Sequence, residues 1–378
     1  MAGGSGLTPY VIDVPSEELT ALRRRLAGVR SAVEPELQTL VDYWRDEYDW
    51  RVWERRLNQY PQYTTTIDGT NVHFLHVRSP RPNAFPLILT HGWPGSVVEY
   101  VDVIGPLTDL GYDLVIPSLP GYTWSGPTPD RGWGPRRIAR AWATLMERLG
   151  YRRYGAAGND WGSHIAPELG RVAPEAVTGV HVTQLFCFPE GEWLSYPPST
   201  EPDRTGLSPD DQVALDSLRE LQRSSGSYAH VHEQRPDILG AALNDSPVGL
   251  LAWNRQAMRD LDPETLLTHI TAYWLTGTAA SALHLYADYA TQPPPEAPTT
   301  VPLALSQFRN DLRSIRAYAT RDHANITTWT HHDSGGHYAA HQAPHLLVHD
   351  LHTFFATHRN AVQGGGQPRR MLGKLPNK

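Results

Sequence analysis

At 378 residues, 40% of them hydrophobic and 19% charged, the chain has the make-up of a globular protein large enough to bury an extensive core. A formal net charge of −7 with no basic stripe argues against nucleic acid as a partner, and no apolar run approaches the roughly 20 residues that a membrane helix needs. The lone cysteine, Cys187, leaves no internal disulfide to form, and the opening Met1-Ala-Gly-Gly-Ser-Gly lacks the charged and apolar regions of a signal peptide, so a cytoplasmic protein is expected.

In chain order, Ser16 is placed to cap a first helix with Glu17 and Glu18 in its first turn and Leu19, Leu22, Leu26 and Val29 on one face. An aromatic-rich helical stretch follows from Leu40 to Leu57. Thr64 to Ile67 and Val72 to Val77 then alternate around Asp68-Gly69, which predicts a hairpin. Pro86 to Thr90 and Leu114 to Pro117 are short apolar runs suited to buried parallel strands. Between them Ser96-Val97-Val98-Glu99 has the spacing of a capping box opening a helix. A helix from Arg136 to Leu149, a strand from Tyr154 to Ala157, a further helix and a strand from Val177 to Phe186 continue the alternation, which predicts a parallel sheet with helices on both faces.

The rhythm breaks after Pro189. Ser208 to Ser224, Leu239 to Leu261 and Glu264 to Tyr289 read as helices, and a Pro-rich stretch from Gln292 to Pro298 closes the insertion. Strand and helix then resume with Val301 to Leu305, Leu312 to Asp322, Ile326 to Thr330 and Pro344 to Thr357. An insertion that leaves a sheet and returns to it reads as a cap. The expected divisions are an N-terminal helical extension (1–60), a first part of the core (61–188), a helical cap (189–298), a second part of the core (299–360) and a Gly/Pro/Lys-rich disordered tail (361–378).

The strongest chemical signal is Gly158-Asn159-Asp160-Trp161-Gly162, where a strand turns into a helix. Small residues two positions either side of a nucleophile mark a sharp elbow, because Cβ atoms there have no room. Asp stands where serine is usual, and that decides the chemistry. A serine attacking an epoxide would leave an ether that no enzyme base can cleave, whereas a carboxylate leaves an ester that activated water hydrolyses. A carboxylate is also ionised at neutral pH and needs no base to attack. The bland reading, an Asp that only caps the next helix, stands beside it.

Ser334-Gly335-Gly336-His337 follows the last predicted strand, and a His on such a loop reaches back over the strand ends, where open α/β sheets hold their sites. Asp311, on the loop after the strand Val301 to Leu305, is the candidate acid; alone it could equally cap the helix starting at Leu312. Asp333, four residues before His337, is the competitor. His91-Gly92-Trp93-Pro94-Gly95 can aim a backbone N–H at the same cavity, forming an oxyanion hole with the N–H of Trp161, and Trp93-Pro94 is a candidate cis peptide. The histidines 337, 341, 345 and 349 invite a metal reading, but Pro344 starts a helix that excludes the first two, so no metal is expected.

With Pro117-Ser118-Leu119-Pro120-Gly121-Tyr122, Leu243-Asn244-Asp245-Ser246-Pro247-Val248-Gly249 and Gly335-Gly336-His337-Tyr338-Ala339-Ala340 added, the set of motifs resembles the microsomal-type epoxide hydrolases from about Val11 to Phe355. It is especially similar to bacterial members, some of which belong to enediyne antibiotic pathways. The resemblance implies an α/β-hydrolase fold with a helical cap and an N-terminal extension. It also implies Asp160 as nucleophile, His337 as base, Asp311 as acid, and Tyr228 and Tyr286 as cap tyrosines that hold the epoxide oxygen. Either tyrosine read alone, among 17, is as easily a core aromatic. Trp93 and Trp161 are expected to line the substrate, an epoxide of apolar or aromatic character; no cofactor is implied, and the oligomeric state, a homodimer included, is left open. Three departures stand out: a short link at Ser31-Ala32-Val33, Arg309 where relatives usually carry Pro before the acid, and His341-Gln342 where an acidic stretch often follows the histidine. The rivals are a haloalkane dehalogenase, which shares the Asp ester but needs no proton for its leaving group, and a pathway protein that binds or rearranges a natural product without hydrolysis.

Overall fold

The computed structural model describes residues 6–29, 34–190, 192, 201–224 and 226–359. The short link at Ser31-Ala32-Val33 and the expected disordered tail from 361 lie outside the described residues.

Among these, one sheet contains β1 (Thr8–Tyr10), β2 (Gln62–Ile67), β3 (Thr70–Val77), β4 (Phe85–Thr90), β5 (Tyr112–Pro117), β6 (Tyr154–Gly158), β7 (Val177–Val182), β8 (Leu303–Gln307) and β9 (Ile326–His331). Their order is β1-β2-β3-β5-β4-β6-β7-β8-β9. The pairings up to β3 with β5 are antiparallel, and every pairing from β5 to β9 is parallel. The β2–β3 hairpin turns through Asp68 and Gly69 with φ of 49° and 77°, the left-handed pair that an Asp-Gly turn supplies. β4, β6, β7 and β8 are buried along their whole length, since helices cover both faces; that is why β4 reads as a short apolar run without alternation.

Helices α1 (Ser16–Ala27), α2 (Pro35–Asp46) and α3 (Trp50–Leu57) precede the hairpin. α4 (Val101–Asp109), α5 (Pro135–Arg148) and α6 (Trp161–Val172) alternate with the central strands. Between β7 and β8 the chain forms α7 (Pro209–Ser224), α8 (Ser227–Gln234), α9 (Pro236–Asp245), α10 (Pro247–Arg255), α11 (Pro263–Thr276) and α12 (Ala279–Ala290). α13 (Arg316–Asp322), α14 (Ala339–Gln342) and α15 (Pro344–Ala356) complete the order. The N-terminal helices clasp the insertion: Tyr48 bonds Thr268 through their hydroxyls at 3.0 Å, and the Trp53 indole donates to Glu264 at 3.1 Å.

Several expected elements divide at signals the sequence carries. The stretch from Leu40 to Leu57 is two helices, because Asp49 caps α3 by accepting from the Arg51 N–H. Leu239 to Leu261 breaks at Pro247, whose preceding residue Ser246 is extended. Glu264 to Tyr289 breaks at Gly277, which closes α11 with a left-handed φ of 63°. Ser16 is not a cap: Pro15 holds that position and no side chain bonds the helix start. α8 was not anticipated, nor was β1, a three-residue edge strand that stitches the N-terminal segment onto β2.

Candidate active site

β6 ends at Gly158 and α6 begins at Trp161, so Asp160 sits on the turn between them, at φ 54° and ψ −119°. A side chain in that region costs backbone energy and persists only where its surroundings impose it. Here two glycines impose it. A Cβ on Gly158 would overlap the Gly162 backbone, and one on Gly162 would overlap the Thr90 carbonyl at the end of β4. Gly92 is equally constrained, since a Cβ there would overlap the Asp160 carboxylate. That close approach lets the Trp93 N–H donate to Asp160 Oδ1 at 2.8 Å, and the Trp93–Pro94 bond is cis.

On the other side, His337 Nε2 lies 3.6 Å from Asp160 Oδ2, while its Nδ1 faces Asp311 Oδ1 at 3.0 Å. Asp311 does not cap the following helix, because α13 begins only at Arg316; the carboxylate also accepts from the Leu312 N–H at 2.7 Å. Asp333 is exposed. Burial works against a charged imidazole at His337, but the Asp311 and Asp160 carboxylates outweigh it and hold the pKa well above the usual range.

Three polar residues at the site escaped the sequence reading. Gln184, just beyond β7, accepts from the Asp160 N–H and the Ser163 hydroxyl, each at 2.9 Å, and its amide donates to Asp311 Oδ2 and, at 2.7 Å, to Asn159 Oδ1. One side chain thus joins the elbow to Asp311. Asn159 in turn donates to Glu99 Oε1 at 2.9 Å. The spacing of Ser96 and Glu99 predicted a capping box, and Ser96 does accept from the Val98 N–H, at 3.3 Å. Glu99 instead turns inward, is 1% exposed, and has its carboxyl pushed up to about 8 by burial, against the opposing pull of His337.

Tyr228 on α8 and Tyr286 on α12 face the elbow from the insertion. Trp93 stacks on Tyr228 with ring centroids 5.0 Å apart, and Trp161 meets Tyr286 edge-on at 4.7 Å. The rings of Tyr228 and Tyr286 meet edge-on, with centroids 6.1 Å apart. Burial first, then the nearby Asp160 charge and, for Tyr286, the neighbouring Tyr228, raise both phenols, so they keep their protons. Tyr289, His164 and Phe186 extend the aromatic wall from Trp161, with His164 and Phe186 stacked at 4.5 Å. Of the other histidines in the comb, His341 donates to Asp102 at 2.9 Å and faces His269 at 3.4 Å, while Asp102 also takes Arg56 at 2.6 Å. His341 is therefore committed to a contact that joins α3, α4 and α11.

A strained strand-to-helix turn in the middle of a parallel sheet, its side chain facing a histidine on a later loop, defines an enzyme of the α/β-hydrolase fold. Residues 86–344 match the family model for the alpha/beta hydrolase fold, and residues 7–100 match the model for the epoxide hydrolase N terminus. A protein of Stigmatella aurantiaca provisionally named an epoxide hydrolase is 37% identical over 93% of this chain and 85% of its own length. Epoxide hydrolase 1 of Sus scrofa is 29% identical over 93% of this chain and 89% of its own. The solved structure of an enantioselective mutant of the Aspergillus niger epoxide hydrolase superposes with a TM-score of 0.82 at 31% identity, covering 93% of this chain and 96% of that one. The chain belongs to the epoxide hydrolase family.

Proposed function

We propose that the chain converts an epoxide to a vicinal diol through an ester on Asp160. The carrying observation is the placement of one carboxylate between a histidine 3.6 Å away and a roof of two protonated phenols. Asp160 forms a C–O bond to one ring carbon as the ring C–O bond breaks, and the freed electron pair on oxygen takes a proton from Tyr228 or Tyr286. His337 then removes a proton from water while the water oxygen attacks the Asp160 carboxyl carbon. The acyl–oxygen bond breaks, the leaving diol oxygen takes the proton that His337 drew from water, and the proton left on Asp160 returns to His337. The Trp93 N–H stands where it would steady the carboxyl oxygen as charge develops on it.

Esterification removes one of the two carboxylates that hold the proton on His337. The imidazole then returns that proton, by way of solvent, to the phenolate and becomes a base only when an ester is present to be hydrolysed. A halide leaves without a proton, so a dehalogenase reading gives the paired phenols no task. The wall of Trp93, Trp161, Tyr289, His164 and Phe186 supports an apolar or aromatic substrate. Among the described residues no helix is long and apolar enough to cross a membrane, and the single cysteine, buried Cys187, supports a reducing, cytoplasmic setting.

The test is a panel of aryl- and alkyl-substituted epoxides assayed for diol, with chlorinated alkanes assayed for halide. The reading predicts diol from the aryl epoxides and no halide. Halide release without diol would overturn it.

A further inference from the structure

Gln184 is a buried side chain that the reaction scheme leaves without a task. It lies two residues beyond the end of β7 and is fully buried. An apolar side chain of the same length would fill that space without the cost of burying an amide, so the amide itself needs an account. Its orientation is fixed by chemistry. The Asp160 backbone N–H can only donate, so the Gln184 atom 2.9 Å from it is the oxygen, Oε1. The nitrogen Nε2 then has two protons to give, and both are taken: Asp311 Oδ2 accepts one and Asn159 Oδ1 accepts the other at 2.7 Å.

Asp311 needs such a bond because of where it stands. β8 ends at Gln307 and α13 begins at Arg316, so no helix or strand places the acid. Its Oδ1 accepts from His337 Nδ1 at 3.0 Å and from the N–H of its own neighbour Leu312 at 2.7 Å. A bond to the next residue travels with the segment and fixes nothing relative to the elbow. The bond from Gln184 does: through Oε1 it refers Oδ2 to the backbone of the residue that would carry the ester. The adjacent Leu185 N–H donates to Ser314 Oγ at 2.8 Å, so residues 184 and 185 pin the same segment at two points. With Oδ2 held, Oδ1 stays turned to an imidazole whose Nε2 faces Asp160 at 3.6 Å.

We propose that Gln184 is a positioning residue for ester cleavage: it clamps Asp311 to the elbow so that His337 keeps the ring orientation and tautomer that a base requires. Once Asp160 is esterified, Asp311 is the carboxylate left bonded to the imidazole, and its alignment governs whether Nε2 can take a proton from water. Ester formation uses neither His337 nor Asp311 and does not depend on the clamp. The inference rests on the epoxide-opening reading, and its test separates the two.

Single-turnover kinetics with styrene oxide should follow ester formation on Asp160 and ester cleavage as separate phases. Gln184→Met keeps the length without donor or acceptor. It should slow cleavage about tenfold, the scale of one hydrogen bond to a charge, and leave ester formation within about twofold of wild type. Gln184→Glu keeps an oxygen for the Asp160 N–H, but has a donor for Asp311 only while its carboxyl holds a proton. Beside the carboxylates of Asp160 and Asp311 that proton is retained at low pH and lost as pH rises. The ratio of its cleavage rate to that of wild type should therefore start near one and fall about tenfold with rising pH. Without substrate, the proton NMR signal of His337 Nδ1–H should lie far downfield in wild type and move upfield in Gln184→Met. Cleavage at the wild-type rate in Gln184→Met would overturn the proposal, as would equal slowing of both phases or a Gln184→Glu ratio that is flat with pH. Should Gln184→Met fail to fold, the Gln184→Glu profile decides alone. If wild-type enzyme forms no ester with any epoxide while the His337 signal still moves in Gln184→Met, the epoxide-opening reading has failed and the role in ester cleavage falls with it, although the clamp on Asp311 stands.

Discussion

At Asp160 the backbone turns through φ 54°, and Gly92, Gly158 and Gly162 stand around that turn because a larger residue could not. The division of labour at this scale is testable. Alkylation of Asp160 uses neither His337 nor Asp311, whereas cleavage of the ester needs an imidazole held in the right tautomer. His337→Gln should therefore accumulate a protein whose intact mass equals enzyme plus epoxide, and Asp311→Asn should show the same burst with slow release. An Asp333→Asn protein that traps the ester while Asp311→Asn turns over normally would mean that the wrong carboxylate has been assigned. Glu99 makes a second, independent prediction. Its folded pKa of about 8 stands above the ordinary carboxyl value of 4.5, so between these pH values the folded protein holds a proton that the unfolded chain has lost. Stability from this group is then fully present below about 4.5 and is lost as pH rises toward 8. Denaturation of Glu99→Gln and wild type across that range should show the variant gaining on wild type as pH rises. Parallel curves would contradict the assignment. Asp160, His337 and Asp311 were legible because motif and chain order name them. Glu99 was not, because its distance from Ser96 imitates a capping box, and Gln184 belongs to no motif and meets the site only through strand order.

The elements that carry these side chains were legible in proportion to the strength of their punctuation. The Asp68-Gly69 hairpin and the wholly apolar strands announced themselves, since turn chemistry and burial on both faces leave a one-dimensional trace. Helix breaks at Asp49, Pro247 and Gly277 were written in cap, proline and glycine, yet each lay inside a longer run of helical character that hid it. α8 is eight residues long with two histidines and a tyrosine, so nothing in its composition marked it as a helix, although it carries Tyr228. α8 and α12 bring the two phenols together, and a prediction belongs to that pairing. Either phenol alone should sustain part of the rate, with a loss of about 1–3 kcal/mol in barrier for each Tyr→Phe change. The double change, Tyr228→Phe with Tyr286→Phe, should nearly abolish ester formation in a rapid-quench assay. Wild-type alkylation by the double variant would remove the tyrosines from the mechanism.

Across the whole molecule, the sheet places its working residues at the carboxyl ends of β4, β6, β8 and β9, and the insertion between β7 and β8 covers them from above. The alternation of strand and helix made the class of fold readable. It could not give the strand order or show that Thr8–Tyr10 joins the sheet, because both depend on contacts between distant segments. The link running from Arg56 through Asp102 and His341 to His269 is of the same kind: it ties extension, core and insertion together with residues that carry no signal in their own neighbourhoods. All of this architecture serves one claim, that Asp160 bonds covalently to the substrate and that water attacks the ester carbonyl rather than the epoxide. A single turnover in heavy-oxygen water, with enzyme in excess and the Asp160 peptide examined by mass spectrometry, tests it most directly. The account predicts one heavy oxygen in the Asp160 carboxylate and none in the first diol released. Label in that first diol with an unlabelled Asp160 would show direct attack by water and contradict the account.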